Sequence, residues 1–197
     1  MATVTPLSIA TSIQLPLPIY ASVPVARLVD DAGTEYAILA GVPEDVAQEI
    51  RARSLDATDE ALQNNTRDRE RFGPEGSYES WYEKGRLPIV LLSSANELAA
   101  IAWYGPAPVP TDSERTVDAS GEWDTAGYRA YGTFRGKRLM RPFARYTLDL
   151  HTQLFPGRKV WIETNEDNAA GRRVFEGIGY RDVGKRASNG RIMMVYE

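Results

Sequence analysis

The chain has 197 residues, 43% of them hydrophobic and 25% charged, the balance of an ordinary soluble domain and not of a disordered chain or a bundle of membrane spans. It contains no cysteine and a single histidine, His151, which excludes disulfide scaffolds, thiol nucleophiles, thiolate metal sites and multi-histidine metal sites. A net charge of −4 argues against a nucleic-acid binder that works through a general positive field.

In chain order, residues 5–26 are apolar but lack a positively charged leader, and Pro6, Pro16, Pro18 and Pro24 would break an export or anchoring helix. Residues 1–28 are therefore expected to form an extended or partly disordered arm, and 29–197 a single domain of a cytoplasmic protein that makes no use of a membrane. The arm can cover a strand edge of its own sheet or of a second subunit, so a homodimer stays open. A short strand is predicted at 34–40 and a helix at 43–55 led by Pro43. Charge-rich helices follow at 61–72 and 77–84, divided by Gly73 and Pro74. Two apolar runs, 88–93 and 98–104, read as an antiparallel hairpin. The loop 105–124 carries three prolines, then Asp112, Glu114, Asp118, Glu122 and Asp124 around Arg115. Its length suggests a function, and its charge suits either a cationic acceptor or plain solvation.

A strand at 125–131 leads into the basic turn Phe134-Arg135-Gly136-Lys137-Arg138-Leu139-Met140. From Gly136 onward Leu139, Phe143, Tyr146, Leu150 and Leu154 recur at helical spacing, with Pro142 expected to disturb the first turn. After a strand at 159–164, Asn168 is a good N-cap for a helix that would bury Ala170, Val174 and Ile178 and stop at Gly179. Strands at 180–183 and 192–196 complete the order, which predicts an α/β or α+β fold with at least one parallel crossover. Two loops that each start a helix can together hold one phosphorylated cofactor. Each helix start presents unpaired N–H groups and about half a positive charge. Arg129, Arg135, Lys137, Arg138, Arg141 and Arg145, with no acid among them, fit a solvated helix face, a phosphate site or an RNA contact alike.

Two motifs narrow these readings. Arg135 opens a segment of the form Arg/Gln-x-x-Gly-x-Gly/Ala, and Asn168, Gly171, Phe175, Glu176, Gly179 and Tyr180 fall in register with an Asn, small, aromatic-Glu, Gly-aromatic signature. On these residues the C-terminal part of the chain resembles the GCN5-related N-acetyltransferase (GNAT) superfamily, which transfers acyl groups from acyl-coenzyme A to amines. Arg138 and Met140 depart from the pattern, standing where the family has small residues.

The resemblance implies a mixed, mostly antiparallel twisted sheet flanked by helices, whose parallel fourth and fifth strands splay apart around acetyl-coenzyme A. It implies that the pantetheine arm pairs along Tyr128, Ala130 and Gly132. Backbone N–H groups of Arg135, Gly136, Lys137, Arg138, Leu139 and Met140 would hold the diphosphate, with Asn168 and Phe175 beside the cofactor. Glu163, five residues before Asn168, stands where members that acetylate protein N-termini carry a general base. It can equally be a strand-end carboxylate that binds a neighbouring cation, and Asp124 and Glu122 are further candidates. The family's tyrosine acid is replaced by Phe175. Tyr180 or Tyr196 could substitute, or the thiolate could leave unaided at a penalty of roughly 1.4 kcal/mol. The implied activity is transfer of acetyl from acetyl-coenzyme A to a primary amine, of a small molecule or a protein, by direct attack in a ternary complex. The alternative is a non-catalytic coenzyme A-binding regulatory module, for which Phe175, Arg138 and Met140 speak. Neither a metal nor a nucleic-acid partner is expected.

Overall fold

Strand-forming apolar runs dominate the chain, and in the computed structural model, which describes residues 2–8, 13–73 and 77–197, they assemble into one nine-stranded sheet. The strands are β1 (Thr3–Pro6), β2 (Ser22–Val29), β3 (Glu35–Gly41), β4 (Leu87–Ser93), β5 (Leu98–Pro106), β6 (Trp123–Ala130), β7 (Lys159–Thr164), β8 (Arg181–Lys185) and β9 (Ile192–Tyr196). Their spatial order is β1-β2-β3-β4-β5-β6-β7-β9-β8. Every pairing is antiparallel except β6 with β7. That parallel pair needs a crossover, supplied by helix α5 (Met140–Leu154). This is the mixed, mostly antiparallel sheet that the family resemblance implied, with the parallel pair formed by the sixth and seventh strands of this chain where the resemblance gave the fourth and fifth.

Helices cover both faces. On one lie α1 (Glu44–Leu55), α2 (Glu60–Asn65), α3 (Asp68–Phe72) and α4 (Ser77–Tyr82), packed through Val46, Ile50, Phe72 and Trp81 against Ile101, Trp103 and Tyr131. On the other lie α5 and α6 (Ala169–Gly177), where Phe143, Leu148, Phe175 and Ile178 meet Ile89, Leu91, Tyr104 and Ile162. With both faces covered, β4 and β5 are central strands, which is why they read as continuous apolar runs and not as alternating ones. Each side chain such as Ile89 or Leu91, fully enclosed, contributes roughly 1.5–3 kcal/mol.

Several local expectations need correction. The segment read as an arm supplies β1 and β2, and β2 places Val25, Ala26 and Leu28 in the core. The helix expected over 61–72 is two short ones, α2 ending at Asn65 and α3 starting at Asp68, because Thr66 is extended. Pro74 lies outside the described residues. Pro142 is the third residue of α5, where an N–H has no intrahelical partner, so it disturbs nothing. Ala170 is exposed and Val174 half-buried, while Phe175 and Ile178 carry the buried face of α6 and its C-terminus.

Candidate functional site

The parallel pairing of β6 and β7 is short. It joins Trp123 to Lys159, Asp124 to Val160 and Thr125 to Trp161, and then stops. Beyond Thr125, β6 keeps pairing with β5 as far as Ala130, while β7 keeps pairing with β9 as far as Thr164. The two strands therefore part, and the open edge of β6 is polar. The Tyr131 N–H donates to the Ala99 carbonyl at 3.0 Å, which fixes the alternation of the β5–β6 ladder. Tyr128 and Ala130 are thus at positions whose main-chain groups turn away from β5 toward the gap. Their carbonyls accept from side chains of this chain, Tyr128 from Arg129 Nη1 at 2.8 Å and Ala130 from Arg135 Nε at 2.9 Å.

The basic turn stands at the end of that edge. A 3-10 turn at Gly132–Phe134 is followed by Gly136 at φ +79° and Arg138 at φ +59°. The Arg135 N–H is used locally, donating to Gly132 at 3.2 Å. The turn at 135–136 is closed by the Lys137 N–H, but among the described residues no backbone N–H from 138 to 141 donates a hydrogen bond, and α5 has no side-chain cap. Nothing lies within 4 Å of where a Gly136 side chain would be. Several free donors on a short stretch, next to a helix start and open space, make a cradle suited to diphosphate. Arg138, 85% exposed, occupies the left-handed region that favours glycine, which is why the family pattern has a small residue here. Lys137 lies over the Phe134 ring, Leu139 is buried and Met140 half-buried. The Arg135 guanidinium is held away from the turn by Asp59, at 2.7 and 2.6 Å.

Across the gap, Asn168 caps α6 by accepting from the Gly171 N–H at 3.0 Å and donates to Thr164 Oγ1 at 2.9 Å. Phe175 packs on Tyr128 and Tyr180. The Tyr128 hydroxyl lies 2.8 Å from that of Tyr104 and 3.1 Å from that of Tyr180. This buried hydroxyl cluster, absent from the sequence reading except for Tyr180, sits where Phe175 offers none. Burial pushes Tyr128 and Tyr180 well above the usual tyrosine range, so both stay protonated.

Glu163 closes β7 on the α1–α4 side of the sheet. It forms a short ion pair with Arg186, accepts from Asn189 Nδ2 at 3.2 Å, and has Arg191 Nε at 4.0 Å. Asp124 and Glu122 are elsewhere, at the closed end of the β6–β7 pair. Asp124 is buried between His151 Nε2 at 2.7 Å and Arg158 Nη1 at 3.2 Å, and Glu122 meets Arg158 at 2.9 Å. His151 is itself fully buried and stacked on Tyr104. These residues hold the strand starts together. Asp112 pairs with Arg186 and Asp118 with Lys159, so these loop acids are partnered within the chain. The basic strip is likewise divided among partners: Arg129 with Asp68, Arg135 with Asp59, Arg145 with Asp149, and Arg141 with the Gly177 carbonyl. Among the described residues there is no acid or histidine cluster able to hold a metal, and no helix long and apolar enough to cross a membrane.

A mixed sheet with one parallel pair that parts beside a donor-rich helix start is the fold of the GCN5-related N-acetyltransferases. Solved structures agree. The GNAT domain of S. lividans PAT matches with a TM-score of 0.60 at 13% identity, over 92% of this chain and 99% of that one. The ribosomal-protein-S5-alanine acetyltransferase from Vibrio fischeri matches with a TM-score of 0.59 at 12% identity, over 81% and 90%. Mycobacterium smegmatis RimJ, solved in complex with CoA-disulfide, matches with a TM-score of 0.59 at 16% identity, over 89% and 86%. No protein-family model matches the chain, and no curated protein sequence does. At such identities the likeness establishes the fold.

Proposed function

We propose that the protein is an acyl-coenzyme A-dependent N-acyltransferase that moves acetyl from acetyl-coenzyme A to a primary amine within a ternary complex. The observation that carries this reading is the run of unpaired N–H groups at 138–141, at the end of the edge where β6 leaves β7. Those groups would take the diphosphate, and Tyr128 and Ala130 present main chain to the pantetheine arm. Arg129 and Arg135 would yield the two carbonyls they now cap. The cofactor supplies a thioester activated toward amines. The chain's own part is to orient it, exclude water through the Tyr128–Phe175 packing, and receive the amine's proton at Glu163. Tyr128, with its hydroxyl between those of Tyr104 and Tyr180, is a protonated group on the gap-facing edge.

Thermal unfolding tests the binding step. Coenzyme A at about 100 times its dissociation constant adds roughly 2.7 kcal/mol, a rise of about 5–10 °C for a chain of this size. An equal rise with ATP, or none with coenzyme A, would refute a dedicated site. Glu163→Gln should lower kcat about 100-fold and flatten the acid limb of its pH profile, as expected when a general base is lost. An unchanged profile would leave Glu163 as an anchor for Arg186.

A second reading, a coenzyme A-binding regulatory module, is favoured by Phe175, which brings no hydroxyl and is buried against Tyr128. Single-turnover assays with a panel of amines separate the two: product formed in one turnover supports the enzyme, and cofactor bound without product supports the module.

A further inference from the structure

The α1–α4 side of the sheet, the side of the proposed base Glu163, carries several guanidiniums with few carboxylates. Trp103, buried in the core on this side, lies beneath that charge. The indole lies on Gly127, whose missing side chain would have met Trp103 Nε1 at 2.5 Å. Gly127 is just past Thr125, the last residue of β6 to pair with β7. The guanidiniums of Arg71 and Arg86 both stand over this ring, at 5.1 and 5.3 Å from its centre. Arg129 and Arg71 share one carboxylate, Asp68, at 2.6 and 2.9 Å. Arg86 makes no ion pair with a carboxylate among the described residues, only the more distant Asp124 offsetting its charge, and its Nε and Nη1 are buried without a hydrogen-bond partner. Gly105 lets it lie there, since a side chain at that position would meet Arg86 Cδ at 2.6 Å. Arg191, on the far side of Arg129, also has a buried Nε without a hydrogen bond.

Such an arrangement is costly in an empty fold. Burial, followed by repulsion from Arg129, lowers the Arg71 proton affinity, and burial lowers that of Arg86 and Arg191. Guanidinium groups kept half-buried and under-partnered are what an oxyanion needs, because they offer fixed donors and charge that water does not screen.

We propose that this arginine cluster selects the acceptor: the substrate is an amine that also carries a carboxylate or phosphate group, with the oxyanion seated on Arg71 and Arg86 beside Trp103 and the amine directed into the gap. The inference rests on the acyltransfer reading and reverses the cationic acceptor suggested by the acidic loop, whose Asp112 and Asp118 are already ion-paired.

Calorimetric titration of the full chain, with and without saturating coenzyme A, tests it on matched amines: β-alanine against propylamine for carboxylate, and O-phosphoethanolamine against ethanolamine for phosphate. The anionic member of at least one pair is expected to bind tenfold or more tightly than its neutral counterpart. Arg86→Gln and Arg71→Gln should each erase that preference, while Arg145→Gln, on α5 across the sheet, leaves it intact. Arg86→Gln should also hold or raise the melting temperature, which a purely structural arginine would lower. Should Arg86→Gln weaken the fold, Arg86 is structural and its part of the proposal falls, while Arg71→Gln still reads the preference. Equal binding within both pairs, or a preference that survives both substitutions, overturns the proposal. Absence of coenzyme A binding would instead remove the acyltransfer reading, and the two failures are told apart by the titration with coenzyme A alone.

Discussion

At the residue scale, two side chains decide how much strain and charge the site holds. Arg138 is in the left-handed region, which costs a non-glycine residue roughly 1–2 kcal/mol. Arg138→Gly should therefore stabilise the chain by about 1 kcal/mol, less the added freedom of the unfolded glycine. That is a rise of about 2–4 °C in melting temperature. A fall would mean that the exposed guanidinium makes a contact worth more than the strain. Asp68, 2% exposed, has burial working to raise its pKa, yet Arg129 and Arg71 outweigh it and hold the carboxyl below the usual carboxylate range. A pKa lower in the folded than in the unfolded chain gives stability that is complete above about pH 4 and is lost as pH falls through the folded value. Asp68→Asn should remove that acid-side slope from the stability–pH curve. It should also cost about 3–5 kcal/mol, since Arg129 is left buried and unpaired.

At the scale of elements, α2 joins the cofactor turn to the acceptor side. Its N-cap Asp59 accepts from the Leu62 N–H at 3.0 Å and also grips Arg135. Asp59→Ala should cost about 1 kcal/mol through the lost cap and free the Arg135 guanidinium, a change visible as tighter coenzyme A binding in titration. Weaker binding would show that Arg135 serves the cofactor only while held by α2. Elements with strong local signals were legible in the sequence: α1 behind Pro43, the β4–β5 hairpin, β7, β9 and the Asn168 cap all lie within a residue or two of their predicted positions. The start of α5 was not. Helical periodicity runs back to Leu139, but the positive φ of Arg138 stops the helix there, and a side-chain pattern does not report a backbone sign. The break between α2 and α3 escaped for a similar reason, since Arg and Asp residues suit a short helix as well as a long one.

At the scale of the molecule, β2 matters more than the proline-bearing segment leading into it implies. Val25, Ala26 and Leu28 are enclosed in the core, and fully burying residues such as Val25 and Leu28 contributes roughly 1.5–3 kcal/mol apiece. Removing residues 1–28 would bare the edge of β3, so the shortened chain should melt lower and self-associate in light scattering. A monomer of unchanged stability would show that the domain proper begins after β2.

What the sequence by itself determined is the local chemistry: a fold class with a parallel crossover, a donor-rich turn ahead of α5, and an asparagine cap ahead of α6. Each depends on residues close together in the chain. Only the tertiary structure decided which charges remain available. Asp124, Glu122 and His151 became strand-end ties, Asp112 and Asp118 of the long loop found partners, and Arg71 and Arg86 met over Trp103 with too few carboxylates. Charge pairing joins residues far apart in the chain. It is settled by distance and burial in the folded molecule, quantities that spacing along a sequence does not contain.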